Sequence, residues 1–250
     1  MALYLGTSGW TYPHWQKAFF PTGLPSTDRL HFYAQRFNTV EINTTFYGTP
    51  KPATVRAWRE AVPESFRFAV KASRFITHLR RLLQPVASSR KFFRAIEPLA
   101  GQVAAVLFQL PATFRADAPR LKAFLGKMPK DYRYVFEFRH PSWFCDEVYD
   151  LLRGAGAALC WWDLKGAQSP REMTADFLYL RLHGPQAAAY RGSYPDAQLK
   201  EWRRRLLPAV RARKDILVYF DNDEKGYAPL NALGLAELMK RRRRAVRASR

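Results

Sequence analysis

One acid and two bases appear together in a single strand-like stretch of the sequence. The run "YVFEFRHPSWF" covers residues 134–144, and its aromatic first half is typical of a buried strand. Glu137, Arg139 and His140 then follow in close succession. A carboxyl group beside a guanidinium and an imidazole can hold a charged substrate and move protons. The stretch therefore indicates either acid–base chemistry or a structural ion pair.

Polar residues end several other apolar runs in the same phase. Because successive side chains of a strand face opposite sides, apolar residues on one side place the residues between them on the other. In an α/β barrel the apolar side faces the helices, and the polar residues face the interior. The residues predicted to face inward are Glu41, Asn43, Lys71, Glu137, Arg139, Arg181, His183 and Asp221. A weaker form of the argument places Gln109 and Asp163 at the ends of the fourth and sixth strands.

Eight apolar runs of strand length recur along the chain, and helical patterns separate most of them. The predicted strands cover residues 3–8, 40–46, 66–72, 104–110, 133–139, 157–163, 177–184 and 215–223. The predicted helices cover 28–37, 51–62, 88–99, 117–128, 143–154, 196–213 and 229–240, while the connection 164–175 holds only a turn or two. This alternation and the chain length predict an α/β fold, a single (β/α)8 TIM-type barrel. An open doubly wound sheet is the alternative, but "GTSGW" is a poor match to its Gly-rich first turn.

Active sites of such barrels lie at the carboxyl ends of the strands, where these polar residues gather. Charged side chains there are costly unless they are paired or near water, so the ring indicates an active site or an ion-pair network. The predicted catalytic residues are Glu137, His183, Asp221 and Lys71. The predicted substrate-binding residues are Glu41, Asn43, Gln109, Arg139, Asp163 and Arg181 on strands, and His78, Trp10 and Tyr47 in loops. His78 alternatively begins a solvated helix, and loop aromatics alternatively pack against one another.

The same ring contains donor types that metal ions accept. The residues that carry them are Glu41, Glu137, Asp163, His183 and Asp221. Lys71 and Arg139 add positive charge among them, so a divalent metal is not favoured and no cofactor is predicted. The sequence has no Walker loop, GxSxG elbow or HExxH motif.

The chain is strongly basic, with a formal net charge of +20 over its 250 residues. Residues 240–250 carry seven of these cations and no acid, which leaves +13 for the remainder. We expect one barrel domain over residues 1–239 and a disordered basic tail over 240–250. The charge favours a nucleic-acid partner or an anionic substrate, or it reflects arginine-rich solvated faces.

The remaining composition predicts a cytoplasmic protein. Cys145 and Cys160 form neither a CxxC motif nor a disulfide framework, which fits a reducing compartment. The first apolar run is too short for a signal peptide, and no run reaches membrane-spanning length, so no membrane partner is expected.

Seven stretches, in one order from Leu5 to Ala232, resemble the YecE-like family, a domain of unknown function catalogued as family 72. They are "GTSGWTYPHW" with "FFP", "VEINTTFYGTP", "FAVKASRFITH", "LFQLPATF", "VFEFRHPSWF", "YLRLHG" and "YFDNDEKGYAPLNA". The resemblance implies a TIM-type barrel, similar in fold to those of sugar isomerases and of a class of apurinic-site endonucleases. It implies no particular reaction. Where the family has a double proline after "QLP", this chain has Pro111 and Ala112.

These observations predict an enzyme that performs acid–base chemistry on a small polar or anionic substrate, carbohydrate- or nucleotide-like, at the barrel mouth. One alternative is a metal-dependent phosphodiester hydrolase acting on nucleic acid. Another is a non-catalytic nucleic-acid-binding protein that uses its basic surface and tail.

Overall fold

In the computed structural model, eight parallel strands form a nearly closed TIM-type barrel, which confirms the predicted fold class. The barrel strands are β1 (Leu3–Thr7), β2 (Thr39–Ile42), β3 (Arg67–Lys71), β4 (Val103–Gln109), β5 (Tyr134–Glu137), β6 (Ala158–Leu164), β8 (Phe177–Leu182) and β9 (Asp215–Phe220). A ninth, short strand outside the barrel is β7 (Ala167–Gln168). Parallel pairing follows the order β1-β9-β8-β6-β5-β4-β3-β2, and β7 forms an antiparallel hairpin with β6. The structure describes the backbone of residues 1–248 and the side chains of residues 1–240.

The helices follow the strands on the outside of the barrel. They are α1 (Arg29–Ala34), α2 (Thr44–Tyr47), α3 (Pro52–Glu60), α4 (Pro85–Ile96), α5 (Ala118–Leu125), α6 (Asp146–Gly154), α7 (Asp196–Arg211) and α8 (Tyr227–Ala248). Short 3-10 turns cover Pro13–Trp15, Glu97–Leu99, Pro141–Trp143 and Glu224–Gly226, and a π-helical turn covers Phe75–Leu79. Within the described backbone, no helix is long and apolar enough to cross a membrane.

The first and last strands of this order meet where β1 and β2 approach each other. Ser8 and Glu41 form a parallel bridge, and the Gly9 amide donates to the Glu41 carbonyl at 2.8 Å. Gly6 permits this approach, because a Cβ at that position would collide with the Thr39 carbonyl oxygen. The barrel mouth is therefore closed on the side where Glu41 enters it.

The alternation read from the sequence separates two packed regions. Phe68, Phe136, Leu180 and Val218 belong to the large core between the strands and helices. The barrel interior is a smaller core built from Ala69, Ala105, Leu107, Val135, Ala158, Cys160, Ala175, Phe177, Tyr179, Leu217 and Tyr219. The small side chains in this interior leave room for longer polar ones at the carboxyl ends of the strands.

Three predicted boundaries differ from the structure. The second strand ends at Ile42, and Thr44–Tyr47 forms a short helix, so the prediction of a strand to residue 46 is wrong. The connection 164–175 contains the β7 hairpin strand rather than a helical turn. Helix α8 passes the boundary predicted at residue 240. Disorder of the tail stays a prediction, since its side chains from 241 and its last two residues lie outside the described part.

Candidate functional site

Arg181 lies at the centre of the barrel mouth and binds three carboxylates. Its Nη2 donates to Glu41 Oε1 at 2.7 Å and to Asp221 Oδ2 at 2.9 Å, and its Nη1 donates to Glu137 Oε2 at 2.9 Å. Arg181 and both glutamates are at most 1% exposed. A guanidinium, with five donors in a fixed plane, can serve several acceptors at once. We call Arg181 and the side chains that contact it the floor of the mouth: Glu41, Glu137, Asp221, His183 and Ser8.

Further hydrogen bonds satisfy Glu41 within this floor. Ser8 Oγ donates to Glu41 Oε1 and the Tyr179 hydroxyl donates to Oε2, both at 2.6 Å. Arg181 Nε adds contacts of 3.1 and 3.0 Å to the same two oxygens. Glu41 is therefore a fully bonded buried carboxylate, which is the arrangement that makes burial of its charge tolerable.

Glu137 is held ionised by two arginines. Its Oε1 forms an ion pair with Arg139 Nη2, and its Oε2 accepts from Arg181. Burial acts to raise the pKa of Glu137, but the two guanidinium groups outweigh it and hold the pKa well below its usual range. Arg139 also stacks on Trp162, with its guanidinium carbon 4.7 Å from the ring centroid. The environment of Glu137 thus favours a permanent carboxylate.

The contacts of His183 define its tautomer. Nε2 lies 2.8 Å from Arg139 Nη2 and 3.3 Å from Arg181 Nη1. Arginine nitrogens only donate, so Nε2 accepts and the ring proton belongs on Nδ1, which lies 3.0 Å from Asp221 Oδ2. Burial, together with Arg181, lowers the pKa of His183 despite Asp221. The imidazole is therefore neutral, with Nε2 facing the two arginines and Nδ1 facing Asp221.

A cavity of about 440 Å³ opens above the floor at the barrel mouth. Its lining residues come from several loops and strand ends: Gly9, Trp10, Thr11, Tyr12, Asn43, Thr44, Tyr47, Trp58, Lys71, Tyr190, Asp221 and Asp223. We call this set the wall of the mouth. The volume lies in the range typical of small-molecule sites, and the mixture of aromatic and polar residues is also typical of them.

Lys71 is the cation of the wall, and the described residues leave it without an ionic partner. No described carboxylate lies within 4.0 Å of its Nζ, and its close contact is the Phe46 ring, with 4.3 Å from Nζ to the centroid. Burial is the main cause that lowers the pKa of Lys71, and the positive charge of Arg181 lowers it further. A larger fraction of Lys71 is consequently the free amine at neutral pH than for a lysine in water.

Other groups of the wall also offer unused bonding capacity. Asn43 Oδ1 is buried and accepts no hydrogen bond from the described residues. Burial, and next the charge of Asp221, raises the pKa of Asp223, whose Oδ2 lies 3.4 Å from His14 Nε2. Burial likewise raises the pKa of the Tyr12 phenol, which therefore stays protonated and donates to the Ser8 carbonyl at 2.8 Å, so that its oxygen can still accept a hydrogen bond. The wall thus presents hydrogen-bond donors and acceptors next to Lys71.

Most of the residues predicted from the sequence meet at this mouth. Glu41, Glu137, Arg139, Arg181, His183 and Asp221 form or contact the floor, and Trp10, Asn43, Tyr47, Lys71 and again Asp221 line the wall. Tyr47 is 77% exposed and forms the outer rim. Their predicted catalytic and binding roles stay predictions, but their convergence is a property of the fold.

Three predicted substrate-binding residues are not among those that line the cavity at the mouth. Asp163 does not face the mouth: β6 points Cys160 and Trp162 inward, so Asp163 points outward into a separate cavity of about 270 Å³ beside Trp202. Gln109 is half-buried at the end of β4, and its amide donates to the Leu110 carbonyl. His78 packs edge-on against Phe46, and burial followed by the charge of Lys71 lowers its pKa.

Several residues of the mouth were absent from the predicted set. Ser8 and Tyr179 bind Glu41, while Asp223 and Trp58 line the wall. Alternation along β1 and β8 places Ser8 and Tyr179 inward, so the rule applied to the other strands would have found both. Trp58 comes from α3, and no local pattern in the sequence links that helix to the mouth.

The floor carboxylates are poorly suited to a metal ion. Glu41, Glu137 and Asp221 already accept charged hydrogen bonds from Arg181, and Lys71 adds another cation nearby. Among the described residues, no cluster of three His, Cys, Asp or Glu side chains has the geometry of a metal site. The donor set present here fits anion and proton chemistry better.

Fold and site together define a TIM-type barrel protein with an arginine-centred polar mouth. The family described as "Protein of unknown function DUF72" matches residues 4–250, and the chain belongs to this family. Its relatives include the UPF0759 protein YecE of Escherichia coli strain K12, which is 37% identical over 155 residues. That match covers 61% of this chain and 54% of YecE, so it spans about half the length of that relative.

Two further relatives match over nearly the whole chain. The UPF0759 protein YunF of Bacillus subtilis strain 168 is 24% identical, and the match covers 95% of this chain and 94% of YunF. The crystal structure of a DUF72 family protein from Thermotoga maritima MSB8 is 28% identical, with a TM-score of 0.85. The alignment covers 96% of this chain and 100% of the Thermotoga chain, so the same barrel extends over both proteins.

Proposed function

We propose that the protein is an enzyme that performs acid–base chemistry on a small polar or anionic substrate, carbohydrate- or nucleotide-like, at the barrel mouth. One observation carries this proposal: Lys71 is a partly desolvated cation on the wall of a 440 Å³ cavity, with no described carboxylate within 4.0 Å. An amine of lowered pKa in a cleft is a suitable proton acceptor near neutral pH.

The floor and the wall take different roles in this proposal. Lys71 moves the proton, Asp221 contacts the substrate from the wall, and the aromatic residues Trp10 and Tyr47 enclose its apolar faces. Glu137 and His183 are buried below and engaged by arginines, so they position Arg139, Arg181 and Asp221 rather than meet the substrate. Preorganised charges of this kind need no rearrangement when the substrate binds.

A thermal-shift screen of small sugars, nucleotides and organic acids, with and without divalent metals, followed by turnover assays, tests the proposal. Lys71→Met should abolish turnover of the compounds that bind, whereas Lys122→Met, on the exposed face of α5, should leave it unchanged. Equal conversion by Lys71→Met and wild type would refute the role of Lys71. Turnover that requires stoichiometric metal would favour the metal-dependent hydrolase instead.

The net charge of +20 favours nucleic acid as a second partner of the same protein. In α7, Lys200, Arg204 and Arg205 pair with the two acids of their own helix, so this helix carries less net positive charge than its number of cations indicates. The tail is the better candidate, although its side chains from 241 lie outside the described residues. Deletion of residues 241–250 should weaken duplex DNA binding at low salt and leave the melting temperature unchanged. Equal DNA binding by both forms would reject the tail as the interface.

We further propose a location in the reducing cytoplasm, which the two free cysteines support. Cys145 and Cys160 are free thiols, and Cys160 lies buried in the barrel interior beside Glu137, with 3.8 Å from Sγ to Oε2. Burial raises the pKa of the Cys160 thiol well above its usual value, so it stays protonated and unreactive.

A further inference from the structure

Lys71 combines three features that a nucleophilic amine requires. It ends β3 at the mouth, so its side chain enters the cavity from a rigid strand. Nζ has no hydrogen bond to a described residue, and Phe46 covers one side of it. Attack on a carbonyl carbon needs an unprotonated lone pair and space beside it, and the 440 Å³ cavity provides that space.

We propose that Lys71 forms an imine with the carbonyl carbon of a small hydroxylated aldehyde or ketone bound in the cavity. This inference rests on the proposed function and names its substrate class and its covalent step. It assigns Lys71 a bond to the substrate, whereas the broader proposal requires only that Lys71 move a proton.

The step balances without an oxidant, a reductant or a cofactor. The Nζ lone pair forms a bond to the carbonyl carbon, and a proton passes from nitrogen to the carbonyl oxygen to give a carbinolamine. A second proton on that oxygen lets it leave as water, and the carbon–nitrogen double bond forms. Asp223, on the wall, is the residue that can carry a proton there, since burial, and next the charge of Asp221, raises its pKa.

The wall favours a hydroxylated carbonyl compound over a purely apolar one. Asn43 Oδ1 is an unpaired acceptor, and the Asp221 and Asp223 carboxylates can accept further hydrogen bonds from substrate hydroxyl groups. Trp10 and Trp58 meet edge to face at 5.8 Å between their centroids and supply flat apolar surface for the carbon face of such a molecule.

The charges around Lys71 determine at which pH the step proceeds. The groups that act on it come from four strand ends and the loop after β3: Glu41, Glu137, Arg181, Asp221 and His78. The carboxylates raise the pKa of Lys71, but burial and Arg181 outweigh them and lower it. The attack of Lys71 on the carbonyl carbon should therefore accelerate with rising pH and reach its plateau below the ordinary lysine value of about 10.4.

Reductive trapping tests the inference on the wild-type protein. The protein is incubated with glyceraldehyde or dihydroxyacetone and sodium cyanoborohydride, and the modified lysines are located by peptide mass spectrometry. Lys71 should be alkylated about 10-fold faster than the exposed lysines, because more of it is free amine at neutral pH. Lys17, Lys51 and Lys122 serve as internal references, since all three are exposed.

Variants separate the imine from a simpler role of Lys71. Lys71→Arg keeps a cation on the wall but cannot form the imine. The rapid alkylation at position 71 and the turnover should therefore both disappear. Lys122→Met should keep both. Alkylation of Lys71 no faster than that of exposed lysines would overturn the imine. If the imine were rejected in this way but compounds still bound and turnover still depended on Lys71, the proposed function would stand without the imine. If no compound bound the mouth, the proposed function would fail as well.

Discussion

Arg181 and Lys71 are cations at the same end of one barrel, but the structure treats them in opposite ways. On the floor, Arg181 donates to Glu41, Glu137 and Asp221 and is 1% exposed. On the wall, Lys71 faces a cavity and has no described carboxylate within 4.0 Å. The floor is therefore a complete ion-pair network, whereas the wall presents a cation without a described ionic partner to a cavity that a ligand can enter.

The comparison separates the two explanations that the sequence left open for this ring. Removal of a charge from water is compensated only when good hydrogen bonds replace the water, and the floor meets that condition. A partly buried amine without such bonds lowers the stability of the fold. Destabilising features of this kind are concentrated at functional positions. The ion-pair reading thus describes the floor, whereas the active-site reading stays a prediction for the wall.

The largest effect is expected on the floor, at Arg181. Arg181→Leu leaves three carboxylates without their shared donor, so unfolding should be easier by about 3–5 kcal/mol, or the chain should fail to fold. Arg181→Lys retains the charge but cannot bridge three acceptors, and it should give an intermediate loss. Urea denaturation measures both. Arg204→Leu, at an exposed position of α7, is the control and should keep the wild-type midpoint. An unchanged midpoint for Arg181→Leu would remove the distinction between floor and wall.

Glu137 extends the comparison to pH, with a smaller effect. Its folded pKa is depressed, and so is that of Asp221, so both carboxylates stabilise the fold above their unfolded pKa of about 4. That contribution is lost as pH falls through the depressed folded values. Glu137→Gln should cost about 2–4 kcal/mol at pH 7 and much less near pH 2, where part of the wild-type advantage has gone. Denaturation curves at several pH values test this, and parallel curves for both proteins would contradict it.

The floor was largely predictable from the sequence because it follows from strand alternation. Phe136 and Phe138 pack outward, so Glu137 points inward and Arg139 follows it toward the mouth. The same rule holds for Arg181, between Leu180 and Leu182. Alternation also holds along β6, but the phase read from the sequence is wrong there, since Trp162 rather than Asp163 faces the interior. Two neighbouring tryptophans hide the phase there, because either can serve as the apolar outer residue.

The wall was harder to predict because it depends on loops and on distances across the barrel. Trp58 reaches the mouth from α3, and Asn43 stands where β2 has already given way to a short helix. The sequence places a lysine at the end of β3, but it does not reveal that Lys71 lacks a carboxylate within 4.0 Å. Glu41 and Asp221 are instead hydrogen-bonded to Arg181, and only the folded barrel determines this choice of partner.

The smallest effect on stability is expected on the wall, at Lys71, and there it should part from function. Lys71→Met removes a partly desolvated cation that makes no described ion pair, so the free energy of unfolding should change by less than about 1 kcal/mol, in either direction. Methionine is one heavy atom shorter than lysine and cannot make the cation–π contact with Phe46, but its flexible apolar chain can still pack beside that ring. Substrate turnover should nevertheless be lost, whereas Glu137→Gln, on the floor, should lower stability more than Lys71→Met does. Urea denaturation and turnover measured on the same preparations make the comparison. A severely destabilised Lys71→Met protein would show that Lys71 belongs to the ion-pair network. The substrate-binding surface would then have to lie elsewhere in the molecule.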